Sequence, residues 1–210
     1  MEIDVSNGQP SDLTIEANMR DLARYALICQ AEGLCPIVEP DISLKGDHDL
    51  ETAVRVNVKV QAELFHQMNL HGVYLEGAVL KSNMVNPGKE CKTGYTVEEI
   101  AEANLQVFRR CFPTAMVTAN FLSGGQSLED ASARLDAINK QKGPKDPWNL
   151  SFSWSAAIQM PLFQLCKGKD GLQLDAMGEL YMKELKIASA AALGKHERKK
   201  GEGDHKGKLF

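Results

Sequence analysis

Lys81 is the residue of this chain best placed to act as a nucleophile. It stands near the end of the run Leu75-Glu76-Gly77-Ala78-Val79-Leu80-Lys81-Ser82-Asn83-Met84, where its upstream neighbours are mostly apolar. Burial makes an ammonium ion costly and lowers the pKa of a lysine, and the neutral amine can add to a carbonyl to form a Schiff base. At an unperturbed pKa near 10.4, on the order of one lysine in 2,500 is neutral at pH 7, so burial is the step that makes such chemistry workable. The run fits equally a strand-end lysine whose head reaches water. Glu39 closes a second apolar run, residues 34–38, and Pro40 holds it in an extended or turn geometry. A carboxylate there suits a general acid/base, or a helix cap or ion pair. Asp41, two residues on, would point to the same side and support it. Glu76 is expected to be buried by its neighbours and therefore paired, for structure or for catalysis. Ser123-Gly124-Gly125 offers a hydroxyl and exposed N–H groups, which makes either an anion-binding turn or an ordinary glycine turn. Asp47-His48-Asp49 invites a reading as metal ligands, but adjacent loop residues point apart, and a helix N-cap is the better reading.

These residues need elements to position them. The spacing predicts a first helix over residues 10–32, with Leu22, Tyr25, Ala26 and Cys29 on one face and Gly33 as its stop. A second helix opens at residues 47–49, with Val54, Val58, Ala62 and Phe65 sharing a face. Thr96-x-x-Glu99 is a capping box for a third, which Pro113 ends. Ser127 with Asp130 opens a fourth, to about residue 140, and two more follow to about 165 and over 172–193. Strands are expected at residues 34–38, from residue 73 through Glu76 to Lys81, at 116–122 and at 150–154. Each strand is followed by an amphipathic helix, the spacing of βα units in a parallel sheet. The domain so defined covers residues 1–193. Residues 194–210 are rich in Lys and Gly and are expected to form a flexible, solvated tail rather than a polyanion-binding arm.

Composition narrows the function classes. The chain has 210 residues, 43% hydrophobic and 25% charged, ordinary for a single globular domain. A formal net charge of -4 points neither to nucleic acid nor to an anionic membrane. No apolar run approaches the roughly 18 residues of a membrane span. The N-terminus has no signal-peptide core. Five cysteines, an odd count without a Cys-x-x-Cys pair, argue against a zinc site or disulfide framework, and a cytoplasmic protein is expected.

Leu-Glu-Gly-x-x-Leu-Lys-x-Asn-Met resembles the Schiff-base lysine motif of class I fructose-bisphosphate aldolases. Leu22-Ala23-Arg24-Tyr25-Ala26, Pro36-Ile37-Val38-Glu39-Pro40 followed by Gly46-Asp47-His48-Asp49, and Phe121-Leu122-Ser123-Gly124-Gly125-Gln126-Ser127 match the family in the same order, so the resemblance runs over about residues 10–194. It implies an α/β fold of the TIM (β/α)8 barrel family. Four βα units are visible where a closed barrel typically needs about 250 residues, so this chain is expected to hold about the four C-terminal units plus the C-terminal helices. The implied activity is that of a glycolytic lyase cleaving fructose 1,6-bisphosphate to dihydroxyacetone phosphate and glyceraldehyde 3-phosphate. Lys81 would be the Schiff-base nucleophile, Glu39 the acid/base that removes the carbinolamine hydroxyl, and Ser123, Gly124 and Gly125 the cradle for a sugar phosphate. The resemblance implies neither metal nor other cofactor, since the protonated imine is the electron sink.

Three departures argue for an alternative, a shortened and catalytically impaired aldolase-like binding or scaffold protein. The family's Phe-Ser-Tyr-Gly-Arg stands here as Phe152-Ser153-Trp154-Ser155-Ala156, so Ala156 replaces a phosphate-binding arginine; Ser82 replaces a proline; and Phe210 replaces the C-terminal tyrosine. A half barrel also leaves sheet edges and an unfilled interior, so a homo-oligomer or another partner chain is expected.

Overall fold

The computed structural model describes residues 2–5 and 10–207. Phe210 and residues 6–9 lie outside them. Helices α1 (Asp12–Ala31), α2 (Leu50–Leu70), α3 (Val97–Cys111) and α4 (Leu128–Gln141) each begin on a side chain that satisfies a free N–H group. Ser11, Asp49 and Ser127 accept from the backbone N–H three residues on, and Thr96 with Glu99 forms the reciprocal box read from the sequence. Asp49 is thus a helix cap, and no group of three or more metal-ligating side chains occurs among the described residues. Helices α5 (Ala156–Gln164) and α6 (Leu174–Ala192) complete the chain's helical layer. No described helix is long and apolar enough to cross a membrane.

The strands are β1 (Glu2–Ile3), β2 (Ile37–Val38), β3 (Asp41–Ile42), β4 (Val79–Ser82), β5 (Thr118–Phe121) and β6 (Asn149–Phe152). Strands β2, β4, β5 and β6 lie side by side and parallel, and β1 pairs parallel with β3. Between β2 and β3 the ladder is broken at Glu39 and Pro40. Register explains the burial. Val38, Leu80, Ala119 and Leu150 are partners across the sheet and each is 0% exposed, because this row meets the helices. One step along, the side-chain alternation turns the row of Lys81, Asn120 and Ser151 to the other face, where all three keep partial exposure. On the helix side the core gathers Phe65, Phe108, Phe112, Phe121 and Trp148 into one aromatic cluster.

Several expectations need correction. The strand carrying Lys81 begins at Val79, because Leu75–Gly77 forms a 3-10 turn and Tyr74 is exposed. Glu76 is consequently exposed rather than buried and lies at the opposite end of that strand from Lys81. In α1 the buried stripe is Ile15, Met19, Ala23 and Ala26; of the expected face Ala26 is buried and Leu22 packs against the core, whereas Tyr25 is exposed and Cys29 only half-buried. In α2 Ala62 is exposed, and Val60, Leu64 and Met68 are fully buried instead.

The stretch expected to be a flexible tail is tied to α3 and α4. Arg198 reaches Glu98 at 2.9 Å and Asp136 at 3.2 Å, Arg134 donates to the Gly203 carbonyl at 2.8 Å, and Asp204 accepts from Val97 N–H at 2.8 Å. His205 pairs with Tyr95 as an antiparallel bridge. Gly203 sits at φ 86°, and a Cβ there would lie 2.8 Å from Val97 and Ala133, so this close approach requires glycine.

A buried amide fixes the first part of the loop after β4. Asn104 on α3, 0% exposed, donates to the carbonyls of Val85 and Ile100 and accepts from Val85 N–H at 2.8 Å. Asn104→Ala leaves the Val85 peptide without partners in the interior, and the expected cost is about 2 kcal/mol. Urea unfolding checks this as a lowered midpoint with an unchanged m-value; an unaltered midpoint would mean that the loop is held elsewhere.

Candidate active site

Lys81 and Glu39 meet because of register. Val38 is the partner of Leu80, so the residue after each, Glu39 and Lys81, projects at the same level from the open face of the sheet. Lys81 Nζ lies 2.9 Å from Glu39 Oε1. The Lys81 side chain is 21% exposed and that of Glu39 is 40% exposed, so neither is sealed among apolar neighbours. Asp41 is half-buried in β3, on the same alternation as Glu39.

Behind Lys81 lies a polar layer that the sequence did not reveal. Gln61 Nε2 on α2 donates to Ser82 Oγ, which in turn donates to the Asn83 carbonyl. Asn83 accepts from Ile42 N–H at 3.2 Å and donates to Asn57 Oδ1 at 3.3 Å. Ser82, Asn83, Asn57 and Gln61 are all buried, so this network fixes the backbone on either side of Lys81 and ties β4 to β3. Polar residues at helical spacing on a buried face of α2 were the only sequence signal for it. Ser82 thus has a structural use as a hydrogen-bonding member of the layer.

Ser123, Gly124 and Gly125 follow β5, also at the C-terminal end of the sheet. Ser123 is 4% exposed, and the glycines sit at φ 57° and 71°, a left-handed pair that L side chains rarely adopt. Successive N–H groups in such a turn form an anion-binding concavity. The turn is closed by Gln126, whose backbone N–H and side-chain amide both donate to the Ser123 carbonyl, and Ser127 then caps α4. Ala156 is the first residue of α5 and brings only a methyl group, while Trp154 beside it is buried against Phe152. Lys81, Glu39 and the Ser-Gly-Gly turn therefore share one end of one sheet, and Glu76 does not join them. A lysine, a carboxylate at hydrogen-bonding distance and an anion-binding turn can together bind an anionic carbonyl compound, add an amine to it and move a proton.

The family model described as fructose-bisphosphate aldolase class-I matches residues 1–210. A fructose-bisphosphate aldolase of Schistosoma mansoni is 46% identical over 197 residues, which cover 94% of this chain and 54% of that protein. Fructose-bisphosphate aldolase C of Homo sapiens is 44% identical over 203 residues, 97% of this chain and 54% of that protein. Among solved structures, the fructose-bisphosphate aldolase of Plasmodium falciparum, in complex with TRAP and a small-molecule inhibitor, superposes with a TM-score of 0.89 at 36% identity, covering 95% of this chain and 57% of that one. The chain thus spans about half the length of the curated relatives it matches, and its parallel βα sheet corresponds to part of their barrel. The match of the family model along the whole length, with relatives 44–46% identical over almost all of the chain, places the chain in the class I fructose-bisphosphate aldolase family.

Proposed function

We propose that this chain forms a Schiff base between Lys81 and a phosphorylated ketose, the first chemical step of class I fructose-bisphosphate aldolase cleavage. The observation that carries the reading is the 2.9 Å approach of Lys81 Nζ to Glu39 Oε1 on the open face of the sheet. The amine adds to the ketose carbonyl, giving a carbinolamine. A proton delivered from Glu39 lets its hydroxyl leave as water, and the nitrogen lone pair closes the imine. The protonated imine accepts the electron pair when the adjacent carbon–carbon bond breaks, and hydrolysis later frees the lysine. In the full reaction the substrate is fructose 1,6-bisphosphate, the products are dihydroxyacetone phosphate and glyceraldehyde 3-phosphate, and the setting is cytoplasmic glycolysis. The Ser123–Gly125 turn holds a phosphate of the ketose.

Borohydride reduction of the purified chain with dihydroxyacetone phosphate, read by peptide mass spectrometry, tests the step. The expected result is a substrate-dependent adduct on the Lys81 peptide that is lost in Lys81→Ala. A folded wild-type chain without any adduct would leave the alternative, an aldolase-like binding protein, for which Ala156 in place of the family's arginine is the supporting observation.

A further inference from the structure

We infer that Lys89 is the phosphate-binding cation of this site, supplying from the loop after β4 the positive charge that Ala156 cannot. The inference deepens the proposed function and rests on it for the identity of the phosphorylated ligand. A Cβ built on Gly125 would lie 3.0 Å from Lys89 Nζ, so the ammonium group sits directly over the left-handed glycine turn. The backbone beneath it is held in place. Lys89 N–H donates to the Leu44 carbonyl at 2.8 Å, Gly88 N–H to His48 at 2.8 Å and Glu90 N–H to Gly46 at 2.9 Å, clasping this loop to the one after β3. The clasp is too tight for a side chain, since a Cβ on Gly88 would stand 2.3 Å from the Gly46 carbonyl oxygen. The same loop after β3 touches the turn itself, with Leu44 3.5 Å from a Cβ position on Gly124. Three loops from three strand ends therefore converge, and Lys89 is the cation they bring to Gly125.

Charge accounting points the same way. Lys81 has Glu39 as its partner, whereas Lys89 is exposed and has no salt-bridge partner among the described residues. A phosphate in a turn of N–H groups carries up to two negative charges and is strongly stabilised by a cation at hydrogen-bonding distance. An ammonium group acts here as a point charge, without the planar bidentate geometry of a guanidinium. It approaches from the β4 side of the turn, whereas position 156 lies beyond β6.

The test compares two ketones in the trapping experiment, dihydroxyacetone phosphate and neutral dihydroxyacetone. Lys89→Ala is expected to raise the half-saturating concentration of dihydroxyacetone phosphate about tenfold, the scale of one lost charge-assisted hydrogen bond. Dihydroxyacetone should be trapped as before, and Lys89→Arg should restore most of the loss. An unchanged half-saturation for the phosphorylated ketone would overturn the inference, and so would an equal loss for both ketones, which would place Lys89 in the fold rather than at the phosphate. If the wild-type chain traps neither ketone, the imine reading fails and Lys89 is judged separately. Inorganic phosphate then titrates the Gly124 and Gly125 amide resonances. Weaker shifts in Lys89→Ala support the inference, and identical shifts refute it.

Discussion

Phe108→Ala is expected to cost about 4 kcal/mol of folding stability, the upper part of the range for truncating a fully buried aromatic ring. Phe108 is 1% exposed and packs edge-on against Phe112 at 5.0 Å and Phe121 at 5.6 Å, with Trp148 6.1 Å away. These partners come from the end of α3, from β5 and from the approach to β6, so the cavity would open where a helix meets two strands. Collapse into it is difficult, because Phe112 and Trp148 already pack on each other at 5.3 Å. Domains of ordinary stability have about 5–15 kcal/mol in total, so the variant would be marginal. Trp148 reports the change directly, as a lower urea midpoint in its fluorescence. Phe108→Leu, which keeps most of the volume, should lose less than half as much. A loss below about 1 kcal/mol for the alanine variant would show that the cluster repacks. The effect also reaches the site, since Phe121 is two residues before Ser123.

What the sequence made legible follows from how local each signal is. Capping side chains act within one helical turn, and Thr96 with Glu99 and Ser127 with Asp130 do what their spacing implies. The helix order and the parallel pairing were legible for a similar reason, because an amphipathic period survives in the sequence wherever a helix covers a sheet. Phase was harder. Leu22, Tyr25, Ala26 and Cys29 make an apolar stripe on α1, but only Ala26 of them is buried; Ala23 joins it, and these small side chains let α1 lie close against α2. The start of β4 was misplaced because Val73-Tyr74-Leu75 is as apolar as a strand. Only the fold shows that Leu75–Gly77 turns before the ladder begins.

The site was legible as residue types but not as contacts. Nothing local in the sequence says that Glu39 and Lys81, 42 positions apart, stand at one level; the parallel register of β2 with β4 decides it. The buried layer of Asn57, Gln61, Ser82 and Asn83 was missed because each residue alone reads as a polar interruption, and they satisfy one another only in three dimensions. Composition misled most at residues 194–207. Lysines and glycines without apolar residues suggest solvation, yet Arg198 and Asp204 find particular partners on α3 and α4, and His205 pairs with Tyr95 in the loop before α3. Such pairing is a matter of geometry, which composition does not encode.

Arg109→Ala is expected to cost about 3 kcal/mol, because it strands a carboxylate in the interior. Asp146 keeps 1% side-chain exposure and receives two bonds from Arg109, Nε at 2.8 Å and a terminal nitrogen at 2.9 Å, with a third from Gly143 N–H. This fork ties the last turn of α3 to the loop that leads into β6. Removing the partner of a buried charge is far more costly than breaking an exposed pair. By contrast, the bond from Arg109 to Glu102, whose side chain is 59% exposed, adds little. The guanidinium's hydrogen bonds hold the Asp146 carboxyl below the usual carboxylate range against the opposing effect of burial, and the Gly143 N–H assists. A carboxyl depressed on folding contributes stability above its unfolded value near pH 3.9, and loses that contribution as the pH falls through the folded value. The gap between wild type and Arg109→Ala should therefore be full at pH 7 and narrow below about pH 4. Asp146→Asn in the Arg109→Ala background removes the stranded charge, so the double variant should be more stable at pH 7 than Arg109→Ala alone. Urea midpoints of the three chains at pH 7 and pH 3.5 decide the matter: a gap independent of pH would mean that Arg109 stabilises through packing of its aliphatic stem and not through the Asp146 carboxylate.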